Sequence, residues 1–304
     1  MSIFVGIDGG GSKTACLVGD EHSLLGSGVA GPSNLVRMDE SRAREAIHTA
    51  IRQACTQARV DASQISRTCI GIAGGARAET AGVVRKILSE LLSGEIEVVG
   101  DMVIAIEAAV GNGAGVVVIA GTGSIAYGRN AAGQTARAGG WGFAISDEGS
   151  AHWIGRAVVA AVLRAHDEDR GAGWLEDIMK AWRVNTREQM ILVANGSPPP
   201  DFAGLLPTVI SAADSKDAIA QDVLAQAGAE LASLGGIVIG RLFKGGQPVP
   251  VAMSGGVFRN AAPVRRVFYN NLRLKYPDVA VSDGVVDPVQ GALELARKGM
   301  RPAH

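Results

Sequence analysis

The sequence predicts an α/β protein made of two domains of similar construction. Glycine is abundant, with 41 residues in a chain of 304, whereas aromatic residues make up only 4%. Short apolar runs with strand spacing alternate with stretches of helical spacing along most of the chain. A strand, a glycine turn and a second strand occur near residue 10 and again near residue 122. This repeat favours a duplicated domain, because the spacing is one small domain length.

Composition and charge exclude several classes of function. The net charge is −1, so no basic surface predicts nucleic acid binding. The three cysteines, Cys16, Cys55 and Cys69, lie in apolar runs, which predicts buried thiols in a reducing compartment. No apolar run approaches the ~18 residues of a membrane span, and the N-terminus enters a strand at once without a signal peptide. We therefore expect a cytoplasmic protein without membrane or nucleic acid partners.

The first domain is predicted to start with three strands and to continue with alternating helices and strands. Apolar residues at positions 3, 5 and 7 have strand spacing, and a second apolar run follows the glycine turn. Later stretches have apolar residues at helical spacing, and Asp101 opens one of the helices. The predicted strands are 3–8, 15–18, 23–30, 67–73 and 95–100, and the predicted helices are 40–58, 80–92 and 102–110. This order is typical of a mixed α/β domain.

The second half repeats the opening pattern and contains more helix. Three consecutive prolines at 198–200 must form a loop, so residues 171–213 are expected to be helical with breaks. The last helix begins with a proline and is followed by Gly299, as helix ends commonly are. The predicted strands are 116–120, 125–128, 249–253 and 279–282, and the other predicted helices are 151–165, 216–242, one after Asn260, and 288–298.

The glycine turn after the first strand offers groups that bind phosphate. Missing side chains let the backbone turn sharply and approach a ligand, and amides with a cation suit phosphate. These groups come from Gly9, Gly10, Gly11, Ser12, Lys13 and Thr14. The carboxylate of Asp8 suits a hydrated magnesium ion. The stretch is not a P-loop, because one extra residue precedes Lys13 and no helix follows. A tight hairpin without a ligand is the alternative.

Two further glycine turns end strands in the second half. The first is residues 121–124, which include Thr122 and Gly123, and the second is residues 254–256, which include Gly255 and Gly256. Two glycine hairpins facing each other across a cleft would hold a polyphosphate, which is chemically sufficient for phosphoryl transfer once Mg²⁺ is added. The third turn lies where a strand meets a helix, and its bare backbone would leave room for an adenine ring.

Asp101 and Asn34 are polar residues at the ends of predicted elements. Asp101 follows an apolar strand and precedes a helix. It is either a helix N-cap or a general base that accepts the proton of an attacking sugar hydroxyl. Asn34 ends a Gly-Pro-Ser turn. It either serves the turn alone or orients a polar substrate.

A glycine-rich loop in the second half could hold a sugar. Asp147 lies in this loop just before a helix, where its carboxylate is either a loop residue or a ligand for sugar hydroxyls. Trp141 stands between Gly140 and Gly142. It would either line a sugar pocket or fill a domain core.

Together these motifs resemble the N-acetylglucosamine kinases. These belong with the BadF/BadG/BcrA/BcrD activator ATPases of the actin-like, acetate and sugar kinase superfamily. The motifs cover nearly the whole chain, and their combined order is specific. They are Gly-Ile-Asp-Gly-Gly-Gly-Ser-Lys-Thr at 6–14, Gly-Asp at 100–101, Ala-Gly-Thr-Gly-Ser at 120–124, Gly-Gly-Trp-Gly at 139–142, Asp-Glu-Gly-Ser-Ala-His-Trp-Ile at 147–154 and Met-Ser-Gly-Gly-Val-Phe at 253–258.

The resemblance implies a specific fold and domain division. It implies two RNase H-like domains of the actin-like ATPase type, with a central cleft for ATP and sugar. The N-terminal domain would comprise residues 1–114 and be joined by the C-terminal helix, residues 288–304. The C-terminal domain would comprise residues 115–287, with a helical insertion around 165–215.

The resemblance also implies a role for each motif residue. Asp101 would be the general base on a sugar hydroxyl, the 6-hydroxyl being expected, and Asp8 would bind Mg²⁺ through water. The expected sugar-binding residues are Asn34, Asp101, Gly140, Trp141, Gly142 and Asp147. The expected ATP-binding residues are Gly10, Gly11, Ser12, Lys13, Thr14, Thr122, Gly123, Ala213, Gly255 and Gly256.

The expected activity is ATP-dependent phosphorylation of an amino sugar, with ATP and Mg²⁺ as cofactors and a homodimer as a possible assembly. The sugar would be N-acetylglucosamine, glucosamine or N-acetylmuramic acid. The alternative is an activator ATPase for a 2-hydroxyacyl-CoA dehydratase or benzoyl-CoA reductase. That class needs cysteines for a shared iron–sulfur cluster, and none of the three cysteines sits in a suitable glycine loop. A sugar or nucleotide sensor is the third hypothesis.

Overall fold

The structure is a computed structural model that describes residues 2–35, 38–170, 174–244 and 248–299. Within these residues the strands form two five-stranded sheets with helices around them. The chain divides into two compact units. The first unit contains Met1–Val117, Arg129–Gln134 and Val286–His304, and the second contains Val118–Gly128 and Thr135–Val285. The predicted α/β class is confirmed.

The elements are numbered in chain order. The strands are β1 (Ile3–Gly9), β2 (Thr14–Gly19), β3 (Leu24–Ala30), β4 (Ile65–Ile72), β5 (Glu95–Gly100), β6 (Gly115–Ala120), β7 (Ser124–Arg129), β8 (Thr135–Gly139), β9 (Val249–Ser254) and β10 (Val279–Val286). The helices are α1 (Glu40–Ala58), α2 (Ala78–Ser89), α3 (Asp101–Val110), α4 (Ala151–Asp167), α5 (Leu175–Trp182), α6 (Arg187–Ala194), α7 (Leu206–Asp214), α8 (Ala218–Leu242), α9 (Gly256–Asn260), α10 (Ala262–Lys275) and α11 (Pro288–Lys298).

The two sheets have the same strand order. The first sheet runs β3-β2-β1-β4-β5, and the second runs β10-β9-β6-β7-β8. Read in the opposite direction, the second sheet is β8-β7-β6-β9-β10. Strands β6, β7 and β8 therefore take the places of β1, β2 and β3. In the first sheet, β1, β2 and β3 pair antiparallel, whereas β4 and β5 run parallel to β1. The shared topology supports the duplication that the repeated glycine turns predicted.

Both faces of the first sheet are covered by helices. Ile3, Val5 and Ile7 belong to the core cluster that also contains residues of α1 and α2. Phe4, on the other face of β1, belongs to a cluster with residues of α3 and α11. A sheet that is buried on both faces needs nearly continuous apolar strands, which explains the low polarity of β1. Gly6 lets α11 approach, because a Cβ atom there would lie 2.2 Å from Leu293 N.

Helix α11 is tied to the first unit by four polar contacts. Lys298 forms an ion pair with Glu107 of α3, whose side chain is buried. Arg297 donates from Nε to Asp20 O and from Nη2 to Ser23 O, each at 2.8 Å. Ala296 O accepts a hydrogen bond from the Arg67 guanidinium at 3.1 Å. The last helix of the chain therefore completes the unit that contains the first strand.

Several element predictions differ from the structure. Strand β8 was not predicted, because its five residues, Thr-Ala-Arg-Ala-Gly, lack a β-branched or aromatic pattern. The single helix expected after Asn260 is instead preceded by the short helix α9, so two helices lie between β9 and β10. The region predicted as helical with breaks contains α5, α6 and α7, and its residues 171–173 lie outside the described residues.

Helix α8 is long and apolar enough to cross a membrane by length and composition. Its apolar window is 56% buried inside the protein, as expected of a core helix. Gly228 explains part of this burial, because a Cβ atom there would lie 2.7 Å from Val264 O in α10. Gly228 is therefore a position of close packing between α8 and α10.

Candidate functional site

The predicted phosphate turn and Asp101 lie at one edge of the first sheet. Gly9 of β1 is in register with Ile72 of β4, and Ile72 is in register with Gly100 of β5. These parallel strands therefore end together, and the segments that follow them lie at the same edge. Adjacent strands are ~4.8 Å apart. The turn and Asp101 are thus separated by roughly 10 Å, or two strand spacings.

The turn itself is a tight hairpin with an exposed tip. Gly9 pairs with Thr14, and Gly10 N donates to Lys13 O at 3.0 Å. A Cβ atom on Gly10 would lie 2.9 Å from Lys13 O, so a side chain there would strain the turn. Ser12 and Lys13 are exposed at the tip. A hydroxyl group and a cation are therefore presented together with backbone, which is the donor set that phosphate requires.

Thr14 has a different position from the one expected. Its side chain is fully buried, and its hydroxyl lies 2.8 Å from both Gly31 O and Ser33 Oγ. A hydroxyl has one proton, so it donates to the carbonyl and accepts from Ser33. Ser33 N in turn donates to Gly10 O at 3.1 Å. The Thr14 hydroxyl supports the hairpin from inside the protein, whereas we had expected it at the ligand.

Asn34 and Asp8 flank the same hairpin. Asn34 follows Ser33, which is bonded to Gly10, and its side chain is half-buried. Asp8 is also half-buried and lies on the same face of β1 as Gly6. Among the described residues, no three His, Cys, Asp or Glu side chains are grouped to hold a metal ion. A single carboxylate still fits Mg²⁺, which is commonly held by one or two carboxylates, several waters and substrate phosphates.

Asp101 is the first residue of α3, and the N-cap is Gly100. The N-cap alternative is therefore wrong. The half-buried Asp101 side chain accepts a hydrogen bond from Met102 N through Oδ1 at 3.0 Å. A negative charge in the first turn is favoured by the helix dipole. This position holds a carboxylate at the sheet edge in a defined orientation, as a general base requires.

In the second unit, the glycine turn after β6 is bonded to the start of α4. Gly121 N donates to Gly123 O at 2.9 Å, which closes the turn. Ala151 N donates to Gly121 O at 2.9 Å, and His152 N donates to Thr122 O at 3.4 Å. The first amides of a helix have no partner within the helix. The carbonyls of this turn satisfy two of them, so the turn and α4 hold each other in place.

Asp147 lies directly against this turn. Its side chain is 5% exposed, and its backbone has a φ of 70°, which is unusual for a residue other than glycine. A Cβ atom on Gly123 would lie 2.8 Å from Asp147 Oδ2. Ser124 N donates to Asp147 Oδ1 at 3.4 Å, and Ser124 Oγ donates to Glu148 O at 2.7 Å. The turn at 121–124, which is predicted to bind phosphate, and the Asp147 carboxylate, which is predicted to bind the sugar, therefore form one cluster.

Ser124 belongs to the cluster around Asp147, although the sequence predicted no role for it. It is 3% exposed and bonds both Asp147 and Glu148, which are more than twenty residues away. A contact at this separation has no local sequence pattern. Its alignment with Ser12 in the repeat was the available signal, although Ser12 is exposed whereas Ser124 is buried.

The loop at 139–142 exposes its tryptophan. Gly139, Gly140 and Gly142 all have positive φ, of 74°, 70° and 97°. Trp141 is 63% exposed, so the alternative that it fills a domain core is wrong. The Arg137 guanidinium carbon lies 4.2 Å from the centre of the Trp141 ring. Three positive φ angles in four residues give this loop a backbone that only glycine adopts readily.

The third glycine turn touches the second. Gly255 has a φ of 98°, and a Cβ atom there would lie 2.4 Å from Ala120 O and 3.0 Å from Gly121 N. Gly256 then begins α9. Ala213 is buried in α7, and its carbonyl accepts hydrogen bonds from Gln221 Nε2 at 3.1 Å and Lys216 N at 3.0 Å. The Gly255 turn thus joins the cluster around Gly121, whereas Ala213 serves the junction of α7 and α8.

The three cysteines are buried and form no disulfide, as predicted. Burial raises the pKa of the Cys16, Cys55 and Cys69 thiols. A raised pKa keeps a thiol protonated, whereas metal and cluster ligation requires the thiolate.

Comparison with known proteins finds relatives over the whole chain. The sequence profile of the BadF/BadG/BcrA/BcrD ATPase family matches residues 5–296. An N-acetylmuramic acid/N-acetylglucosamine kinase from Clostridium acetobutylicum is 32% identical over 302 residues, which cover 98% of this chain and 99% of the relative. An N-acetyl-D-glucosamine kinase from Dictyostelium discoideum is 27% identical over 310 residues, covering 97% of each chain.

A solved structure also shares the fold. A proposed N-acetylglucosamine kinase from Chromobacterium violaceum superposes with a TM-score of 0.77 and 23% identity, covering 97% of this chain and 98% of that chain. The predicted fold of two RNase H-like domains is confirmed by this similarity and by the repeated sheet topology.

Proposed function

The chain belongs to the BadF/BadG/BcrA/BcrD ATPase family, and we propose that it transfers the terminal phosphate of ATP to a hydroxyl group of an amino sugar. The observation that carries the proposal is the near-complete alignment with a kinase named for N-acetylmuramic acid and N-acetylglucosamine. The first sheet supports the proposal. The hairpin at 9–14, predicted to bind phosphate, and the Asp101 carboxylate both lie where the parallel strands β1, β4 and β5 end.

In this proposal, Asp101 is the general base. Its carboxylate accepts the proton of the sugar 6-hydroxyl as that oxygen attacks the terminal phosphorus. Proton transfer of this kind typically contributes about 10²–10⁴-fold to the rate. The hydrogen bond from Met102 N to Oδ1 fixes the orientation of the Asp101 carboxylate.

The phosphates of ATP would be held by backbone amides and by side chains at the turns. The residues assigned to this role are Gly10, Gly11, Ser12, Lys13, Thr122 and Gly123. Gly255 and Gly256 are assigned to the nucleoside, together with Ala213 on the resemblance alone. When bound with ATP, Mg²⁺ would neutralise phosphate charge, and Asp8 would contact it through water.

The sugar would be held by polar side chains and by the backbone of a glycine loop. Asn34, the Gly140, Trp141 and Gly142 backbone, and Asp147 are assigned to its hydroxyl and amide groups. The support for Asp147 is its burial against Gly123, because a buried carboxylate that accepts from Ser124 N keeps a fixed direction. A fixed acceptor suits a hydroxyl-rich ligand.

The test is ADP release with Mg-ATP and four sugars: N-acetylglucosamine, glucosamine, N-acetylmuramic acid and glucose. Asp101→Asn is the decisive variant, because the amide oxygen can still accept from Met102 N. We expect kcat to fall by about 10²–10⁴-fold while the sugar still binds. The matched control is Asp39→Asn, which makes the same change at the start of α1. Turnover that ignores every sugar and survives Asp101→Asn would refute the kinase assignment.

The alternative of an activator ATPase would require a cluster bound by cysteine thiolates. The raised pKa and burial of Cys16, Cys55 and Cys69 argue against that role. Iron bound to the purified chain would favour it. The homodimer and the cytoplasmic location stay predictions, and the molar mass in solution tests the first.

A further inference from the structure

Arg137 is held in place on the exposed face of Trp141. Its guanidinium carbon lies 4.2 Å from the ring centre, within cation–π distance. The Arg137 carbonyl accepts a hydrogen bond from Arg241 Nη1 at 2.8 Å, which anchors its strand to the last turn of α8. The side chain is thus oriented by an aromatic ring, and its backbone is fixed by a second arginine.

This arrangement concentrates positive charge without a carboxylate. Within the described residues, neither Arg137 nor Arg241 forms an ion pair with Asp or Glu. Two other arginines, the half-buried Arg44 and the exposed Arg170, do pair with acidic side chains. A guanidinium is planar, and stacking on a ring leaves its edge N–H groups available for a bidentate acceptor. The Arg137 edge is therefore suited to a carboxylate from outside the chain.

Arg137 and Trp141 are structurally connected to Asp147, the carboxylate that the proposed function assigns to the sugar. Trp141 follows Gly140, where a Cβ atom would lie 2.7 Å from Ile125 Cδ1. Ile125 follows Ser124, whose backbone amide bonds Asp147. The tryptophan loop is thus packed against the strand that positions Asp147. The proposed function assigns the Trp141 loop and Asp147 to the same sugar, and Arg137 is stacked on the ring of that loop.

We propose that Arg137, held on the Trp141 ring, binds a carboxylate group carried by the amino sugar, so that the enzyme selects an acidic substrate. This inference rests on the proposed kinase function and names the substrate class. N-acetylmuramic acid is the fitting compound, because it is N-acetylglucosamine that carries an additional lactyl carboxylate. The subsite forms no covalent bond and acts only through charge and hydrogen bonds.

The experiment compares kcat/KM for N-acetylmuramic acid and N-acetylglucosamine in the wild type and in Arg137→Gln. Loss of hydrogen bonds to a charged group corresponds to about 10-fold to 100-fold. We expect that loss for N-acetylmuramic acid, chiefly in KM, and a change below about twofold for N-acetylglucosamine. Arg137→Lys keeps the charge without the planar fork and should lie between them. The control Arg52→Gln removes an exposed arginine of α1 and should change neither sugar.

A second substrate separates charge from size. The carboxamide of N-acetylmuramic acid keeps the bulk of the substituent without its charge, and we expect the wild type to use it as poorly as Arg137→Gln uses the acid. A wild type that uses both compounds equally would overturn the carboxylate subsite. Equal loss for both sugars in Arg137→Gln, with a lower melting temperature, would show a structural role and also overturn it.

A phosphate site at Arg137 and the absence of kinase activity would each give a distinct result. If Arg137→Gln instead relieves inhibition by inorganic phosphate or by the sugar phosphate product, with acid turnover unchanged, the subsite holds phosphate and the proposal fails. If the wild type phosphorylates none of the four sugars, the kinase function itself fails. Turnover of N-acetylglucosamine without N-acetylmuramic acid would leave the kinase standing and overturn the subsite alone.

Discussion

At the scale of single residues, the contact between Gly123 and Asp147 carries the most information. The carboxylate occupies space that any side chain at position 123 would need, and it is 5% exposed. Asp147 also has a left-handed backbone, a conformation that surrounding contacts must stabilise. The glycine is therefore required by a neighbour that is distant in sequence, as well as by its own turn.

We predict that Gly123→Ala displaces the Asp147 carboxylate, because the new methyl carbon would lie 2.8 Å from Oδ2. The expected result is a KM for the sugar about tenfold higher or more, measured by coupled ADP release, because hydrogen bonds to the displaced carboxylate are lost. Gly121→Ala is the matched change in the same turn, since its Cβ atom would meet no atom within 4 Å. Equal effects of the two substitutions on sugar KM would contradict the role given to Asp147.

The sequence predicted Asp101 and Asp147 as candidates because both follow apolar strands or glycine loops just before helices. It did not predict that Thr14 is buried. The alternation of residues along β2 does not show which side chains are covered by the segment that follows β3. The sequence also contained no sign of the contacts that Ser124 and Arg137 make. Their partners, Glu148 and Trp141, are brought near by the fold, and these contacts have no periodic signature.

At the scale of elements, capping and strand polarity decide how well the boundaries could be predicted. The bounds of α1, β5 and α11 match the prediction, because Asp39 caps α1 and Gly299 follows α11. Strand β8 was missed because it is short and alternates alanine with polar residues. One predicted strand, β5, also carries a half-buried acidic side chain, Glu97.

Because of Glu97 in β5, we expect the folded protein to lose stability as the pH rises. Burial raises its pKa above the ordinary value of 4.5, and the charge of Glu95 raises it further. A carboxyl whose pKa is raised on folding favours the folded state below its unfolded pKa, and this contribution is lost as the pH rises through the folded pKa. The wild type therefore carries a destabilising charge at pH 7.

We expect Glu97→Gln to raise the melting temperature at pH 7.5 and to leave it unchanged below pH ~4, where both chains are neutral at this position. Differential scanning fluorimetry over this range measures the difference. The control is Glu45→Gln, which removes an exposed carboxylate of α1, far from Glu97 in the sequence, and should not raise the melting temperature. A gain for Glu97→Gln that persists at pH 4 would show that charge is not the cause.

At the scale of the whole molecule, the chain contains two sheets with the same strand order. Helix α11 follows the second unit in sequence but belongs to the first unit. Helix α11 covers Phe4 and Leu17 and contacts α3 through Gly291, where a Cβ atom would lie 2.0 Å from Ile104 O. The duplication was predictable because the glycine turns repeat. The return of α11 was inferred from resemblance, since no local pattern says which unit a terminal helix joins.

We predict that a chain ending at Asp287 fails to form a stable first unit. Without α11, the apolar cluster of Phe4, Leu17 and Ile104 loses Val289 and Leu293, which are buried against it. Aggregation in size-exclusion chromatography and binding of a hydrophobic dye are the expected results. A milder variant, Lys298→Met, leaves Glu107 buried without its cation and should lower the melting temperature while the chain remains monodisperse. A truncated chain as stable as the full one would refute the role given to α11.

The position of α11 also has a consequence during synthesis. A ribosome makes Ile3–Gly9 before Pro288–Lys298, and the second unit is translated between them. One face of the first sheet therefore lacks its cover until α11 has been translated, whereas the second unit already has all its residues. In the cell, the half of the protein that is translated second can finish folding first, and the nascent first half would be the part that depends on chaperones.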